Sequence, residues 1–355
     1  MQFDAPSGTA PFSLSVLASG STGVGVSAAD GLASTISLAR TADRHGFRRF
    51  WMSEHHAMPA TSVASPQLMV ARLIAETSRI HLGAGGVMLP NHAPLIIAEQ
   101  FGMLEAMAPQ RIDLGLGRAP GTDGETAAAL RRGADANDGF HRQVLELLGF
   151  LNDDFPAGHR YHDVHAVPGP WQSGQNRVTT QSAGPEIWIL GSSPYSAQLA
   201  AHLGRPYAFA LQFGDADVDT ALRIYRENFQ PSDVLAEPHT LVSVPAAIAD
   251  DPAEARRQAS TMSMAMLRMF KREGYQLLPP DEVAAYPATM QERQILDSYT
   301  DRNFHGTAAT VADRLELLHA RTGVDEVMLV VGGHSSALDE RGIELIADHY
   351  DMAQA

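Results

Sequence analysis

Cysteine is absent from the 355 residues, which removes disulfides, thiolate metal sites, iron–sulfur clusters and a cysteine nucleophile in one step. Redox chemistry in such a chain needs a bound cofactor. Basic runs are missing as well, and the formal net charge is -15, so a nucleic-acid groove or an anionic membrane surface does not fit as the main partner. Small molecules fit better. No apolar run approaches membrane-spanning length, and the start MQFDAPSGTAPFSLSVLASG lacks the basic and then long apolar pattern of a signal peptide, so the expected location is cytoplasmic.

What the chain does have is enough apolar residue, 45%, to bury a sizeable core, and a repeating alternation of short β-like runs with helical stretches. FSLSVLAS (12–19) leads to a helix from Asp30 to about His45 that stops at Gly46, and then to RRFWMSEH (48–55). The same order continues through RIHLGAGGVMLP, RIDLGLGR, EIWILGSS, PYAFALQF, HTLVSVPAAIA and DEVMLVVGG. Eight β segments with intervening helices predict a (β/α)8 TIM barrel with loop insertions; a doubly wound open sheet is the competing arrangement. A single domain over 1–355 is expected, with 158–184 as an insertion and 271–303, KREGYQLLPPDEVAAYPATMQERQILDSYTDRN, as a mobile lid.

Barrels gather function at the C-terminal ends of their strands, and the unusual residues fall there. The first strand runs into Ala18, Ser19 and Gly20, the second into Glu54-His55-His56, the third into the GAGG glycines, the fourth into Arg118, and the fifth into Gly191-Ser192-Ser193. In GSSPYSAQLA, Ser193 stands where a helix N-cap belongs and Pro194 where no N–H is needed. That helix start offers backbone N–H groups, a positive dipole end and two hydroxyls to a phosphate, or it is a plain cap. Arg118 supplies a guanidinium fork suited to the same phosphate, or it forms a rim salt bridge with Asp123.

GLGRAPG (115–121) does not have the spacing of a dinucleotide fingerprint; Gly115 and Gly117 instead leave room for a flat ligand or a neighbouring layer. In Glu54-His55-His56, adjacent side chains on extended backbone point to opposite sides, which disfavours chelation of one metal and favours one imidazole as general acid or base; a structural tie at the rim is the bland alternative. His92 and His334 could also line the mouth, and His159, His162 and His165 fall in the insertion as a solvated group; no metal is assigned.

FWMSEHHAMP, RIHLGAGGVMLPNHAPLIIAEQFGMLEAMAPQRIDLGLGRAPGTD and IWILGSSPYSAQLAAHLG together resemble the bacterial-luciferase-like family of flavin-dependent monooxygenases, nearest its single-chain MsnO-type subgroup. The resemblance implies reduced FMN bound at the barrel mouth, reacting with O2 to oxygenate a small organic substrate. It places proton handling on His55 with Glu54 orienting the neighbourhood, a non-proline cis peptide at Gly85 and Gly86 under the flavin ring, and the phosphate on Arg118, Gly191, Ser192 and Ser193. Ala18 and Gly117 would also face the cofactor. Gly117 stands where luciferase carries a cysteine, and Arg293 is near, but out of register with, an arginine of its lid.

With no nicotinamide fingerprint, reduced flavin would come from a separate flavin reductase. A deazaflavin-dependent dehydrogenase of the same fold, or a non-catalytic flavin-binding protein, remain alternatives. The family also dimerises through the side carrying helices 65–78 and 93–107, so a homodimer is expected.

Overall fold

Alternating short strands and amphipathic helices have few ways to bury their apolar faces, and here they close a barrel. The computed structural model describes residues 5–133, 136–176, 184–213 and 217–352. Its strands are β1 (Ser13–Ala18), β2 (Arg49–Met52), β3 (His81–Met88), β4 (Ile112–Gly117), β5 (Glu186–Gly191), β6 (Tyr207–Ala210), β7 (Thr240–Ile248), β8 (Phe304–Gly306) and β9 (Glu326–Val331). All pairings between them are parallel. The order runs β1 to β7 around the ring, β9 follows β7, and β9 pairs back onto β1 from Ser13↔Glu326 to Ala18↔Val331. That last ladder closes an eight-stranded (β/α)8 barrel and excludes the open sheet.

One strand was not legible in the sequence. β8 is a three-residue rider on the end of β7, pairing Ala246↔Phe304 to Ile248↔Gly306, and it is too short to show a periodicity of its own. The first helix, Ala28–Arg44, starts one turn's fraction earlier than expected because Ser27 caps it, accepting from the Asp30 N–H. Gly46, at φ 74°, makes the stop.

The barrel has two packed regions. Between strands and helices lies the large core, with Phe50, Leu82, Leu114 and Val327 facing outward to the helix ring. Inside the barrel, Leu17, Trp51, Trp188, Ala208, Leu241 and Met328 form a plug, with the two indoles edge-on at 5.4 Å. Below it the strand starts carry a charge cluster: Arg49 lies 2.8 Å from Asp113, 2.9 Å from Glu186 and 3.1 Å from Glu326, all four side chains being nearly or fully buried. Trp51 Nε1 donates to the second Asp113 oxygen at 2.7 Å, so the plug and the charge cluster are one assembly. His81, Asp113 and Glu186 could by distance hold a cation, but the Arg49 guanidinium already bonds both carboxylates.

Of the segment 158–184, residues 177–183 lie outside the described residues. The rest is packed: Tyr161 sits against Phe150, and His165 stacks on Trp171 while facing Asp153 at 2.6 Å. Residues 271–303 carry two helices, Pro280–Ala285 and Met290–Arg302, the second opened by a capping box between Thr289 and Glu292. The same segment is fastened to the first βα loop by a bridge between Gly23 and Leu277.

Candidate active site

Above the indole plug, at the C-terminal ends of the strands, lies a cavity of about 570 Å³. That is the size range of small-molecule and cofactor sites. Its wall takes Ser19 after β1, His55 after β2, Gly85, Gly86 and Met88 from β3, Gly117 at the end of β4 with Arg118 just after it, and Gly191 at the end of β5 followed by Ser192 and Ser193. Eight of the ten residues singled out from the sequence therefore meet around one space.

Ala18 and Glu54 do not line it. Strand alternation turns Ala18 outward into the helix-facing core, and its neighbours Leu17 and Ser19 face the cavity instead. Glu54 is fully buried behind the wall. Its carboxylate accepts from His56 Nε2 at 2.9 Å, His92 Nε2 at 2.9 Å, the Met88 N–H at 3.1 Å and Asn91 Nδ2 at 3.2 Å. Burial alone would raise its pKa, but the hydrogen bonds from His92, His56 and Met88 outweigh it, and the carboxyl sits below its usual range. Glu54 thus ties the loops after β2 and β3 together. Neither His92 nor His56 reaches the cavity for the same reason: both are spent on this carboxylate.

The tie extends to the loop after β4. Asn91 also donates to the Pro120 carbonyl at 3.0 Å and accepts from Arg132 at 2.8 Å, and Arg132 donates to the Arg118 carbonyl at 2.7 Å. Arg132 carried no signal in the sequence; it acts from fourteen residues away through a backbone oxygen, which no local pattern reveals.

His55 is the cavity's imidazole. Its Nδ1 lies 3.3 Å from the Gly121 carbonyl, which can only accept, so Nδ1 carries the proton and Nε2 keeps its lone pair. Burial lowers its pKa, opposed by the Gly121 hydrogen bond and the Glu54 charge, so the ring is neutral at pH 7. His334 turns elsewhere, with Nε2 3.2 Å from the Val24 carbonyl.

At the other end stand Arg118 and the helix Pro194–His202. The Arg118 guanidinium lies 4.4 Å over the Tyr195 ring in the helix's first turn. The expected alternative, a salt bridge to Asp123, is not formed: Asp123 caps its own helix by accepting from the Thr126 N–H at 2.8 Å, and no carboxylate pairs with Arg118 among the described residues. Ser193 occupies the N-cap position, yet its side chain makes no capping bond. Its hydroxyl, the Ser192 hydroxyl and the helix's first N–H groups are what an anion needs.

The peptide Gly85–Gly86 is cis. A Cβ on Gly85 would come within 2.5 Å of the Trp51 ring, and one on Gly86 within 2.6 Å of the Gly115 carbonyl, so only glycines let this bare backbone form the cavity wall. Arg293 is exposed and away from the cavity. His159, His162 and His165 do not converge on one point: His159 stacks on the Phe155 ring, His162 Nδ1 lies 2.9 Å from the Phe155 carbonyl, and His165 Nδ1 lies 2.6 Å from Asp153.

The mouth of this TIM barrel thus joins an arginine without a carboxylate partner among the described residues, a helix N-terminus, a side-chain-free backbone wall and a neutral imidazole, the residue types of an enzyme's cofactor site. The comparisons agree: the Luciferase-like monooxygenase family matches residues 12–326, and the chain belongs to that family of flavin-dependent oxidoreductases. A luciferase-like monooxygenase of Escherichia coli (strain K12) is 38% identical over 306 residues, 86% of this chain and 87% of its own. The crystal structure of apo-MsnO8 superposes with a TM-score of 0.84 at 32% identity, covering 97% and 99% of the two chains. The oxygenating constituent of 3,6-diketocamphane monooxygenase from Pseudomonas putida, solved in complex with FMN, shares the fold at a TM-score of 0.69 and 18% identity, over 96% and 98%.

Proposed function

We propose that the protein is an FMN-dependent monooxygenase that takes reduced FMN from a separate flavin reductase and uses O2 to oxygenate a small organic substrate. The observation that carries the reading is the end of the cavity where Arg118 lies over Tyr195 with no carboxylate partner among the described residues and the N-cap Ser193 makes no side-chain capping bond. These residues fit a terminal phosphate. When bound, reduced FMN supplies the electrons that activate O2.

The chain's own groups then have separable tasks. Arg118, Ser192, Ser193 and the helix N-terminus hold the phosphate; Gly85, Gly86, Gly117 and Gly191 let backbone approach a flat ring; His55 holds or accepts a proton at Nε2. Glu54 positions the loops that carry them, and Ala18 contributes only to the core behind. GLGRAPG supports the external source of reduced flavin, because its spacing does not make a nicotinamide cradle.

Arg118→Ala is expected to weaken FMN binding by about 1.5–3 kcal/mol while leaving riboflavin binding nearly unchanged, since only FMN carries the phosphate. Fluorescence titration with both flavins checks this, and equal losses would remove Arg118 from the phosphate. Tighter binding of a deazaflavin than of FMN in the same titration would turn the reading into the dehydrogenase alternative.

A homodimer belongs to the same proposal. The helix Pro94–Met107 is apolar on nearly all sides and packs beside the helix Pro66–Ile74. Between them they leave Leu68 (75% exposed), Ile96, Met103 and Met107 on the outer face, where an all-round apolar helix asks for a second cover. Leu68→Glu with Met107→Glu is expected to halve the mass seen by light scattering; a monomer in the unaltered protein would sink the assembly.

A further inference from the structure

The cavity is chemically lopsided. In a chain with 41 acidic residues, no Asp, Glu or Lys lines it among the described residues; His55 and Arg118 are its only potentially cationic groups, and Arg118 stands at the anion end. The wall on the side of residues 271–303 is different in kind. The helix Pro252–Phe270 contributes Met262, Met266 and Met269, and the segment after it contributes Tyr275 and Tyr299. Thioethers are polarizable and adapt to irregular apolar shapes.

The polar groups on that side are not all free: Ser263 and Asn303 already donate to the Ala259 carbonyl, at 3.3 and 3.5 Å, while the Tyr275 phenol stands beside the thioethers. Its ring packs with Met262 against Ala60, Ala265 and Leu277, and Leu277 is held by the bridge to Gly23 and by a 2.9 Å bond from the Val24 N–H to its carbonyl. The phenol is therefore mounted on a fastened segment. Burial pushes its pKa up to about 12, so it remains a protonated donor. Its hydroxyl has no hydrogen-bond partner among the described residues, so it is a donor free to meet an acceptor in the cavity.

Resting on the flavin reading, we infer that the organic substrate is an uncharged, mainly apolar molecule whose hydrogen-bond acceptor is received by the Tyr275 phenol, its apolar body lying on the methionine wall. A carboxylate would lose its hydration against Met262, Met266 and Met269 with no cation to meet it there, and an ammonium would find no carboxylate anywhere on the wall.

Octan-2-one, octanoate and octylammonium share a chain length and differ in charge. Titrated by calorimetry into FMN-loaded protein, the ketone is expected to bind at least about 30-fold more tightly than either ion, from the desolvation of an unpaired charge. Tyr275→Phe should weaken the ketone by about 5- to 10-fold, the loss of one neutral hydrogen bond, with FMN affinity and circular dichroism unchanged. An ion bound as tightly as the ketone, or a ketone indifferent to Tyr275→Phe, would overturn the inference. Failure of FMN to bind is a separate result and strikes the flavin reading; the same three ligands in flavin-free Arg118→Ala protein, where the anion end is disabled, still decide between neutral and charged substrates.

Discussion

His55→Ala is expected to slow turnover by about 10²- to 10⁴-fold, the range for removing a positioned acid or base, while FMN affinity stays within about twofold. The expectation rests on geometry. His55 is the one imidazole of Glu54-His55-His56 on the cavity wall, and the Gly121 carbonyl fixes its proton on Nδ1, so Nε2 is the atom that can take a proton. His56→Ala should be far milder in rate and should act through stability, because His56 donates to Glu54 behind the wall.

The pH profile carries the same information. His55 titrates below the ordinary histidine value of 6.5, so a step that needs the neutral ring runs at full rate at neutral pH and declines only as acid brings the pH down through that lowered value. Stopped-flow spectra of reduced protein mixed with oxygen, taken from pH 5 to 8, would show this limb disappear in His55→Ala. A normal time course in that variant, with His56→Ala impaired, would transfer the role to the neighbouring imidazole.

Arg49→Met is expected to cost about 3–5 kcal/mol of folding stability, the cost of breaking a buried ion pair by removing one partner. Here the removal strands three carboxylates. Burial by itself would raise the pKa values of Asp113 and Glu326, but the Arg49 charge, together with His81 and Trp51 beside the first and His239 and Ser15 beside the second, outweighs it and holds both at about 2. Their folded values lie below the unfolded ones. In the unaltered protein their contribution is therefore complete above the unfolded carboxylate values near 4, and is lost as pH falls from there toward 2.

In Arg49→Met the sign reverses. Burial is then opposed only by His81 beside Asp113 and His239 beside Glu326, so the folded values rise above the unfolded ones and protonation relieves the strain, and the deficit measured by urea unfolding should shrink between pH 7 and pH 5. A deficit that is small at pH 7, or one that grows toward pH 5, would show that the cluster does not hold the base of the barrel. Arg49→Lys should recover only part of the stability, since one ammonium cannot replace a fork that meets three carboxylates.

The sequence determined what is local. Short apolar runs bounded by glycine and polar residues gave the strands, Ser-Pro at 193–194 gave a helix start, and the unusual residues clustered at strand ends because a βα unit presents its loop there. That was enough for the barrel and for eight of the ten expected site residues to meet around one cavity. A strand's two faces are also local information, but which face looks into a barrel depends on where the ring closes, so Leu17 and Ser19 could not be preferred over Ala18 from the run itself.

Tertiary structure decided whatever joins distant positions. Glu54 and His55 are neighbours in the chain, yet one faces the cavity and the other is claimed by His92, 38 residues away, and by the Met88 N–H, 34 residues away. Arg49 reads as the polar start of a strand until β4, β5 and β9 bring Asp113, Glu186 and Glu326 around it, the last across 277 residues. A charge in a sequence carries no mark of its partner. Only closure of the ring puts opposite charges within 3 Å, where burial makes the pairing obligatory, and only closure leaves an apolar space above them for chemistry.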